Sequence, residues 1–304
     1  VAFLERIGSA SSLARLRLKL PVIDSEGRVS SMGYGLLGLL GYRHLSLRER
    51  IRILVVLKRI SHLNPQDHKD LSFAELLLSL GQQLPEIDRF WEIFMRPALN
   101  LPCSEASADL GVFTTKTALL GSRAASDLLM PLAPLGAMHG EAAKRVLDKA
   151  GAKVLMRVRA TRVHDEGVEL ADGKSLSADA VIVATQAVEC SDLLGEKRLG
   201  LGDSPIVSVH LWFDRIVMDS SLAAFIDSPA HWVFDRGRLV GNPPERGQYL
   251  TVVSSGVPDL LEVRGKNMVD LIAEELTQRL GKAELIWSRV SREPRATFAG
   301  RPGT

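Results

Sequence analysis

Hydrophobic residues recur at helical spacing through much of the first half of the chain and again near its end. From Ser46 to Leu63 they alternate with arginines, and Ser46 and Glu49 form a capping-box pattern where this helix begins. Further helices are predicted where the same spacing returns and a loop or glycine follows. They cover Phe73 to Leu80, Glu86 to Met95, Ala137 to Ala150, and a segment whose apolar face runs from Met268 to Leu280.

A period of two predicts strands in the remaining segments. Leu20 to Val29 has the alternation and turn residues of a hairpin. Polar and apolar residues alternate from Val154 to Ala160, and the apolar run from Val181 to Val183 indicates a strand buried on both faces of a parallel sheet. From Pro205 the chain is predicted to be mainly strand, and the last strand covers Ala283 to Val290. The chain is therefore a mixture of helices and strands.

The run Gly33-Tyr34-Gly35-Leu36-Leu37-Gly38 has the G-x-G-x-x-G spacing of a dinucleotide-binding loop. Such a loop needs a buried strand before it, a helix after it whose amides face the pyrophosphate, and an acid about 20 residues further on. A polar Ser-Ser-Met segment precedes this run, and Lys58 lies where the acid is expected. We therefore predict a flexible loop here and no phosphate site.

Composition and charge narrow the class of protein. With 304 residues, 46% of them hydrophobic and 24% charged, the chain is long enough for two globular domains. Its 38 basic and 36 acidic residues leave a net charge of +2, which predicts no nucleic-acid partner. Cys103 and Cys190 are far apart and favour a reducing, cytoplasmic location. No apolar run approaches the roughly 20 residues of a membrane-spanning helix.

The basic helix from Ser46 to Leu63 allows two interpretations. Its arginines and its Leu/Ile/Val stripe suit peripheral contact with an anionic membrane surface, which would place the protein at the inner membrane. A helix that packs its stripe on its own domain and keeps its charges in solvent is the commoner arrangement.

Other kinds of chemistry find little support in the motifs. The seven histidines form no H-E-x-x-H or comparable pair, so no metal site is predicted. No G-x-S-x-G elbow is present, which removes the support for a hydrolase. The aromatic residues Trp212, Phe213, Trp232 and Phe234 lie in two predicted strands, where they either line an apolar cavity or, more commonly, pack in a core.

The segment from Ala160 to Thr185 resembles flavin-dependent amine oxidases and phytoene-desaturase-like proteins. The resemblance rests on Ala160-Thr161-Arg162-Val163, on the turn Asp172-Gly173, and on the run from Ala178 to Thr185, ADAVIVAT. In those families the backbone at the first of these positions meets the adenine of FAD, so the resemblance implies that Ala160 contacts this cofactor. The small residues Ala184 and Thr185 would let the chain approach it.

Within that superfamily, stretches along almost the whole chain are most similar to squalene-associated, FAD-dependent hydroxysqualene dehydroxylases. They include Phe3 to Gly8, Arg43 to Arg48, Arg89-Phe90-Trp91, Ala124 to Leu129 and Arg295 to Phe298. The resemblance implies an α/β fold with an incomplete Rossmann-like FAD domain and a substrate domain of mixed sheet and helices. The family's strand with G-x-G-x-x-G and its Gly-Asp segment are expected to precede Val1 and follow Thr304.

The resemblance also implies which segments of the chain form each domain. Residues 1–135 and 204–296 would form the substrate domain, 136–203 the internal part of the FAD domain, and 297–304 the return to it. The implied activity is reductive dehydroxylation of hydroxysqualene, with an electron donor for FAD. The alternatives are a carotenoid-type desaturase, a flavin amine oxidase, or a membrane-associated module without catalysis. The residues expected to line the lipophilic isoprenoid are Trp91, Asn100, Trp212 and Phe234, and no catalytic residue is predicted.

Overall fold

The computed structural model describes residues 1–304, which form two compact units. The smaller unit combines Val1–Ser11 with Pro134–Leu201, and the larger unit combines Ser12–Ala133 with Gly202–Thr304. The assignment of segments to substrate and FAD domains stays a prediction, because compactness does not show what a unit binds.

The predicted helices are present, with small shifts at their ends. The helices are α1 (Ala2–Arg6), α2 (Gly35–Leu40), α3 (Leu47–His62), α4 (Phe73–Ser79), α5 (Leu84–Glu86), α6 (Glu92–Leu99), α7 (Ala108–Thr114), α8 (Ala142–Lys149), α9 (Ala187–Leu194), α10 (Arg236–Val240), α11 (Pro258–Glu262) and α12 (Gly265–Leu280). A π-helical turn at Ile87–Trp91 joins α5 to α6, a second one follows α7, and a third one precedes α8. The capping box at Ser46 is formed as predicted, which explains why α3 begins where it does.

Three sheets account for the strands. The strands are β1 (Leu13–Leu16), β2 (Lys19–Ile23), β3 (Val29–Gly33), β4 (Leu128–Pro131), β5 (Ala160–His164), β6 (Gly167–Leu170), β7 (Ser175–Ser177), β8 (Gly202–Phe213), β9 (Leu222–Phe225), β10 (Trp232–Asp235), β11 (Gln248–Ser255) and β12 (Leu285–Ala299). The main sheet of the larger unit has the order β12-β8-β11-β10-β9-β2-β3, antiparallel except for the pair β2 and β9. The hairpin predicted over Leu20 to Val29 is β2 and β3.

The main sheet lies between two helical layers because alternate residues of its strands face opposite sides. In β9, Ala223 and Phe225 belong to one core with α12, whereas Leu222 and Ala224 belong to the other core with α3, α4 and α6. The side chains that α12 buries are Met268, Ile272 and Leu276, as its predicted apolar face required. The layer that contains α3, α4 and α6 carries most of the large buried aromatic residues.

The smaller unit contains α1, α8, α9 and the antiparallel meander β5-β6-β7. Two strand predictions within it were wrong. Val154 to Val158 are not in a strand, and Arg157 has a left-handed φ of 59°, which interrupts extended backbone. Val181 to Val183 form no strand either, and the Ile182 side chain is 92% exposed. A parallel strand exists only through hydrogen bonds to its neighbours, and no strand of this chain pairs with this segment.

Candidate functional site

Two adjoining apolar cavities lie in the larger unit, on the helical side of the main sheet. The first, here called the helix cavity, has a volume of about 320 Å³ and lies between α2, α3 and the π-helical turn at Ile87–Trp91. The second, here called the sheet cavity, has a volume of about 540 Å³ and lies between α6, β4 and the strands β8, β10 and β11. Leu18, Phe94 and Leu119 line both, so the two cavities share a wall.

Aromatic side chains of β10 form the floor of the sheet cavity. Trp232 and Phe234 point to the same face because they are two residues apart in a strand, and their rings stack with centroids 6.0 Å apart. The Trp232 indole N–H donates to the Ile93 carbonyl at 3.2 Å. The polar atom is thereby satisfied, and the apolar ring surface is left facing the cavity.

Charge is almost absent from both cavities. Lys58 is the charged residue that lines the helix cavity, and Asp127 is the one that lines the sheet cavity. The Asp127 carboxylate already accepts a bond from the Arg15 guanidinium at 3.4 Å. Neither cavity therefore offers an unpaired carboxylate to a ligand.

A third cavity of about 340 Å³ shares Pro97 and Trp232 with the lining of the sheet cavity, and we call it the polar cavity because several charged side chains interrupt its mainly apolar lining. Arg96 donates to the Glu92 carboxylate at 2.9 Å and lies 3.2 Å from Nε2 of His231. The Ser255 backbone N–H donates to Nδ1 of His231 at 3.1 Å. Burial and the adjacent Arg96 charge lower the pKa of His231 to about 4, so its imidazole is neutral near pH 7.

Other groups around the polar cavity are also held by internal contacts. Glu92 accepts the Cys103 backbone N–H at 2.7 Å, and burial raises the pKa of the Cys103 thiol. Burial, together with the nearby Asp227 carboxylate, raises the pKa of Asp88. The network joins residues more than 130 positions apart, and sequence reasoning missed it because only the i, i+4 pair of Glu92 and Arg96 is visible in one helix.

The four residues predicted to line the substrate are not gathered in one place. Phe234 faces the sheet cavity, whereas Trp91 is fully buried and donates its indole N–H to Gln82 at 2.7 Å. Trp212 lies near the end of β8 and donates to the Arg246 carbonyl, with its ring 6.3 Å from that of Tyr249.

Asn100, the fourth of these residues, ends α6 in left-handed backbone with φ of 51°. Its amide nitrogen donates to the Ser204 carbonyl at 2.9 Å and to the Thr297 hydroxyl at 3.0 Å. Its side-chain oxygen accepts the Gly256 backbone N–H at 2.8 Å. All the groups of this buried side chain are therefore engaged by the protein, and its role toward a substrate stays a prediction.

The glycine run Gly33 to Gly38 is ordered, so the expectation of a flexible loop was wrong. Gly33 is the last residue of β3, and Gly38 lies within the six-residue helix α2. A Cβ atom on Gly38 would lie 2.2 Å from the Gly33 carbonyl oxygen, so only glycine lets this helix fold back on the strand. Because β3 is an antiparallel edge strand and α2 borders an apolar cavity, these glycines serve chain packing and form no phosphate cradle.

The residues expected near the cofactor lie in the smaller unit. Ala160 is the first residue of β5 and pairs with Leu170, and Ala184 and Thr185 are exposed in the segment before α9. Their side chains are small, and their contact with FAD stays a prediction. No glycine-rich turn between a strand and a helix occurs in this unit, so its residues fit only part of an FAD site.

Comparison with known proteins identifies the family. The family described as flavin containing amine oxidoreductase matches residues 12–281. Among solved structures, the chain is similar to a proposed protoporphyrinogen oxidase from Exiguobacterium sp., with 13% identity over 99% of this chain and 74% of that one, and a TM-score of 0.70. It is also similar to wild-type putrescine oxidase bound to putrescine, with 14% identity over 95% of this chain and 70% of that one, and a TM-score of 0.69.

A third similar structure is reduced UDP-galactopyranose mutase, with 13% identity over 99% of this chain and 69% of that one, and a TM-score of 0.67. At such identities these structures establish the fold and leave the reaction open. No curated protein sequence matches the chain. The expected mixed α/β, amine-oxidase-like fold is confirmed. Because the family match spans most of its length, the chain belongs to the flavin containing amine oxidoreductase family and is an FAD-dependent oxidoreductase.

Proposed function

We propose that this oxidoreductase acts on a long isoprenoid and converts hydroxysqualene to squalene in squalene and hopanoid synthesis. The observation that carries the proposal is the pair of adjoining apolar cavities in the larger unit. Removing hydrocarbon from water is favourable in proportion to the apolar area buried, so such walls bind a hydrocarbon chain with little other help. We choose hydroxysqualene as the substrate because stretches along the chain resemble hydroxysqualene dehydroxylases.

The charges of the cavities argue against a cationic amine as the substrate. A buried ammonium group is costly unless a carboxylate or several hydrogen-bond acceptors meet it. The carboxylate that lines the sheet cavity, Asp127, is already paired with Arg15. A flavin amine oxidase remains the alternative within the family, and its substrate would have to displace this pairing.

The proposed reaction exchanges a carbon–oxygen bond for a carbon–hydrogen bond. FAD, when bound in its reduced form, would supply the hydride that the allylic carbon takes up, and the hydroxyl would leave with one proton as water. The walls of the sheet cavity, including Trp232, Phe234 and Met130, hold the chain and keep water from it. We assign no catalytic acid, and we include a separate electron donor because each turnover leaves the flavin oxidised. The proposed location is the cytoplasm.

The test is product analysis with the flavin-loaded protein. Hydroxysqualene and a reductant are added, and mass spectrometry follows the formation of squalene. Squalene formation supports the proposal, and its absence while the flavin is demonstrably reduced contradicts it.

Parallel reactions separate the alternatives. Turnover of phytoene with an oxidant would favour the desaturase, and turnover of putrescine would favour the amine oxidase. A protein that never binds flavin would favour the non-catalytic module.

A further inference from the structure

One face of α3 exposes an apolar stripe, although the helix also packs another apolar side into the core. Leu47, Ile51 and Val55 are 60%, 51% and 46% exposed, respectively. The side chains of α3 that enter the core are Ile53, Val56 and Ile60. At about 100° per residue the two sets lie on opposite sides of the helix. The stripe of Leu47, Ile51 and Val55 is therefore available to something outside the protein.

The neighbouring helix α2 extends this apolar surface. Leu36 and Leu37 are 54% and 83% exposed, and α2 packs beside α3. We call these two residues together with Leu47, Ile51 and Val55 the apolar patch. Leu36 also lines the helix cavity, so the patch adjoins that cavity. No helix of the structure is both long enough and apolar enough to cross a membrane.

Positively charged side chains of α3 border the apolar patch. On the helical arc that exposes the stripe, the polar members are Arg48, Lys58, Arg59 and His62, with no acidic residue among them. The acid of this helix, Glu49, is held in the capping box with Ser46 on another side. Residues 34–63 contain six arginine and lysine residues and this one acid, whereas the whole chain has a net charge of only +2.

We infer that the apolar patch and its surrounding cations bind the surface of an anionic lipid bilayer. Exposed leucine and isoleucine side chains enter the boundary of the acyl chains while arginine and lysine meet the phosphate groups. A second copy of the chain fits less well, because a two-fold interface would bring the same cations face to face. The bound orientation places the helix cavity next to the lipid surface, because Leu36 belongs to both the patch and the cavity lining. That last consequence rests on the proposed function, but the binding itself does not.

The first test measures the binding of the purified chain to vesicles by co-sedimentation. Vesicles of equimolar phosphatidylcholine and phosphatidylglycerol are compared with vesicles of phosphatidylcholine alone. We expect binding to the anionic vesicles that weakens at high salt, because surface charges are screened. The readout needs neither flavin nor isoprenoid, so its failure is distinguishable from failure of the proposed reaction.

Two sets of variants locate the binding surface. The triple substitution Leu47→Gln, Ile51→Gln and Val55→Gln should lower the partition coefficient by at least about tenfold. Its control is Leu271→Gln with Ile286→Gln, which alters exposed apolar residues of α12 and β12 and should leave binding unchanged. The reversal Arg48→Glu with Lys58→Glu should also weaken binding at least about tenfold. Its control is Lys197→Glu with Lys282→Glu, both exposed and outside the patch.

Three results would overturn the inference. The first is a wild-type chain that binds neither vesicle type, or binds both equally. The second is a glutamine triple variant that folds normally by circular dichroism and still binds as the wild type does. The third is a wild-type dimer, seen by light scattering, that the triple variant disrupts, since the patch would then be an interface between copies.

Discussion

The sheet cavity and the polar cavity share Pro97 and Trp232 as a wall, yet they differ in the number of charged groups that line them. On one side the charged lining is a single carboxylate, and the surface consists of aromatic rings and aliphatic side chains. On the other side Asp88, Glu92, Arg96, Asp227 and His231 surround a smaller space.

The difference shows which cavity is suited to a ligand. In the polar cavity, Arg96, Glu92 and His231 bond to one another or to the backbone, so much of their capacity is used inside the protein. In the sheet cavity, the Trp232 and Phe234 rings have no such partner on their free faces. Polar residues here stabilise the wall, and apolar residues are left to bind.

The largest expected effect is the contribution of His231 to the pH dependence of the free energy of unfolding. Its pKa is lowered from 6.5 to about 4, so as the pH falls below about 6.5 the unfolded chain takes up a proton that the native chain does not. The free energy of unfolding should therefore decrease as the pH falls from about 6.5 to about 4. Below about pH 4 His231 should cause no further decrease. Relative to His231→Gln, we expect a loss of about 2 to 3 kcal/mol in the free energy of unfolding. Urea denaturation at several pH values measures it.

The exposed His62 provides the control for that experiment. His62→Gln makes the same substitution at an exposed position outside the polar cavity, so it separates the loss of a histidine as such from the loss of the buried one. Equal pH slopes for the wild type and His231→Gln would mean that His231 is not held neutral by the network.

A smaller effect is expected from placing a charge in the sheet cavity. Ala98 lines it, and Ala98→Asp should raise the KM for an isoprenoid by about tenfold, because the carboxylate must lose water when the hydrocarbon binds. Ala98→Asn has nearly the same shape without the charge and should change the KM much less. If the aspartate variant instead lowers the KM for an amine, the sheet cavity binds cations and is not selective for hydrocarbon.

The smallest expected effect is the loss of stability when Trp232, in the wall between the two cavities, is replaced. Trp232→Phe keeps an aromatic ring over the sheet cavity but removes the bond to the Ile93 carbonyl. We expect a loss of about 1 kcal/mol in the free energy of unfolding, measured in urea, with little change in the KM for an isoprenoid. Trp287→Phe, at an exposed position of β12, should change the stability by less than about 0.5 kcal/mol. A large change in KM would show that the indole N–H contacts the substrate.

Helices that have a capping or stop residue and apolar residues at helical spacing were predictable from the sequence. The capping residues of α3 and the apolar face of α12 need only local contacts to be recognised, and both are as expected. The segment Val181 to Val183 shows the opposite case. Its side chains indicate a buried strand, but a strand depends on hydrogen bonds to partners distant in sequence, and none pairs with it here.

The candidate site was less predictable than the fold. Phe234 was predicted to line the substrate and does face the sheet cavity, whereas Trp91, an equally apolar aromatic residue, is enclosed by Phe73 and Phe90. Nothing in the local sequence separates these two cases, because a cavity forms where helices and strands distant in sequence leave a gap between them. Leu128 to Pro131 contribute to the sheet cavity and were not expected there at all.

Sequence alone determined the family, the flavin and the positions of the long helices, because each depends on motifs or on the spacing of neighbouring residues. Only the tertiary structure decided which side of α3 faces the core. Its apolar residues cover more than one side, and the packing of α4, α6 and the sheet selected Ile53, Val56 and Ile60. The stripe of Leu47, Ile51 and Val55 was left outside, since a helix can bury only the side that its neighbours cover.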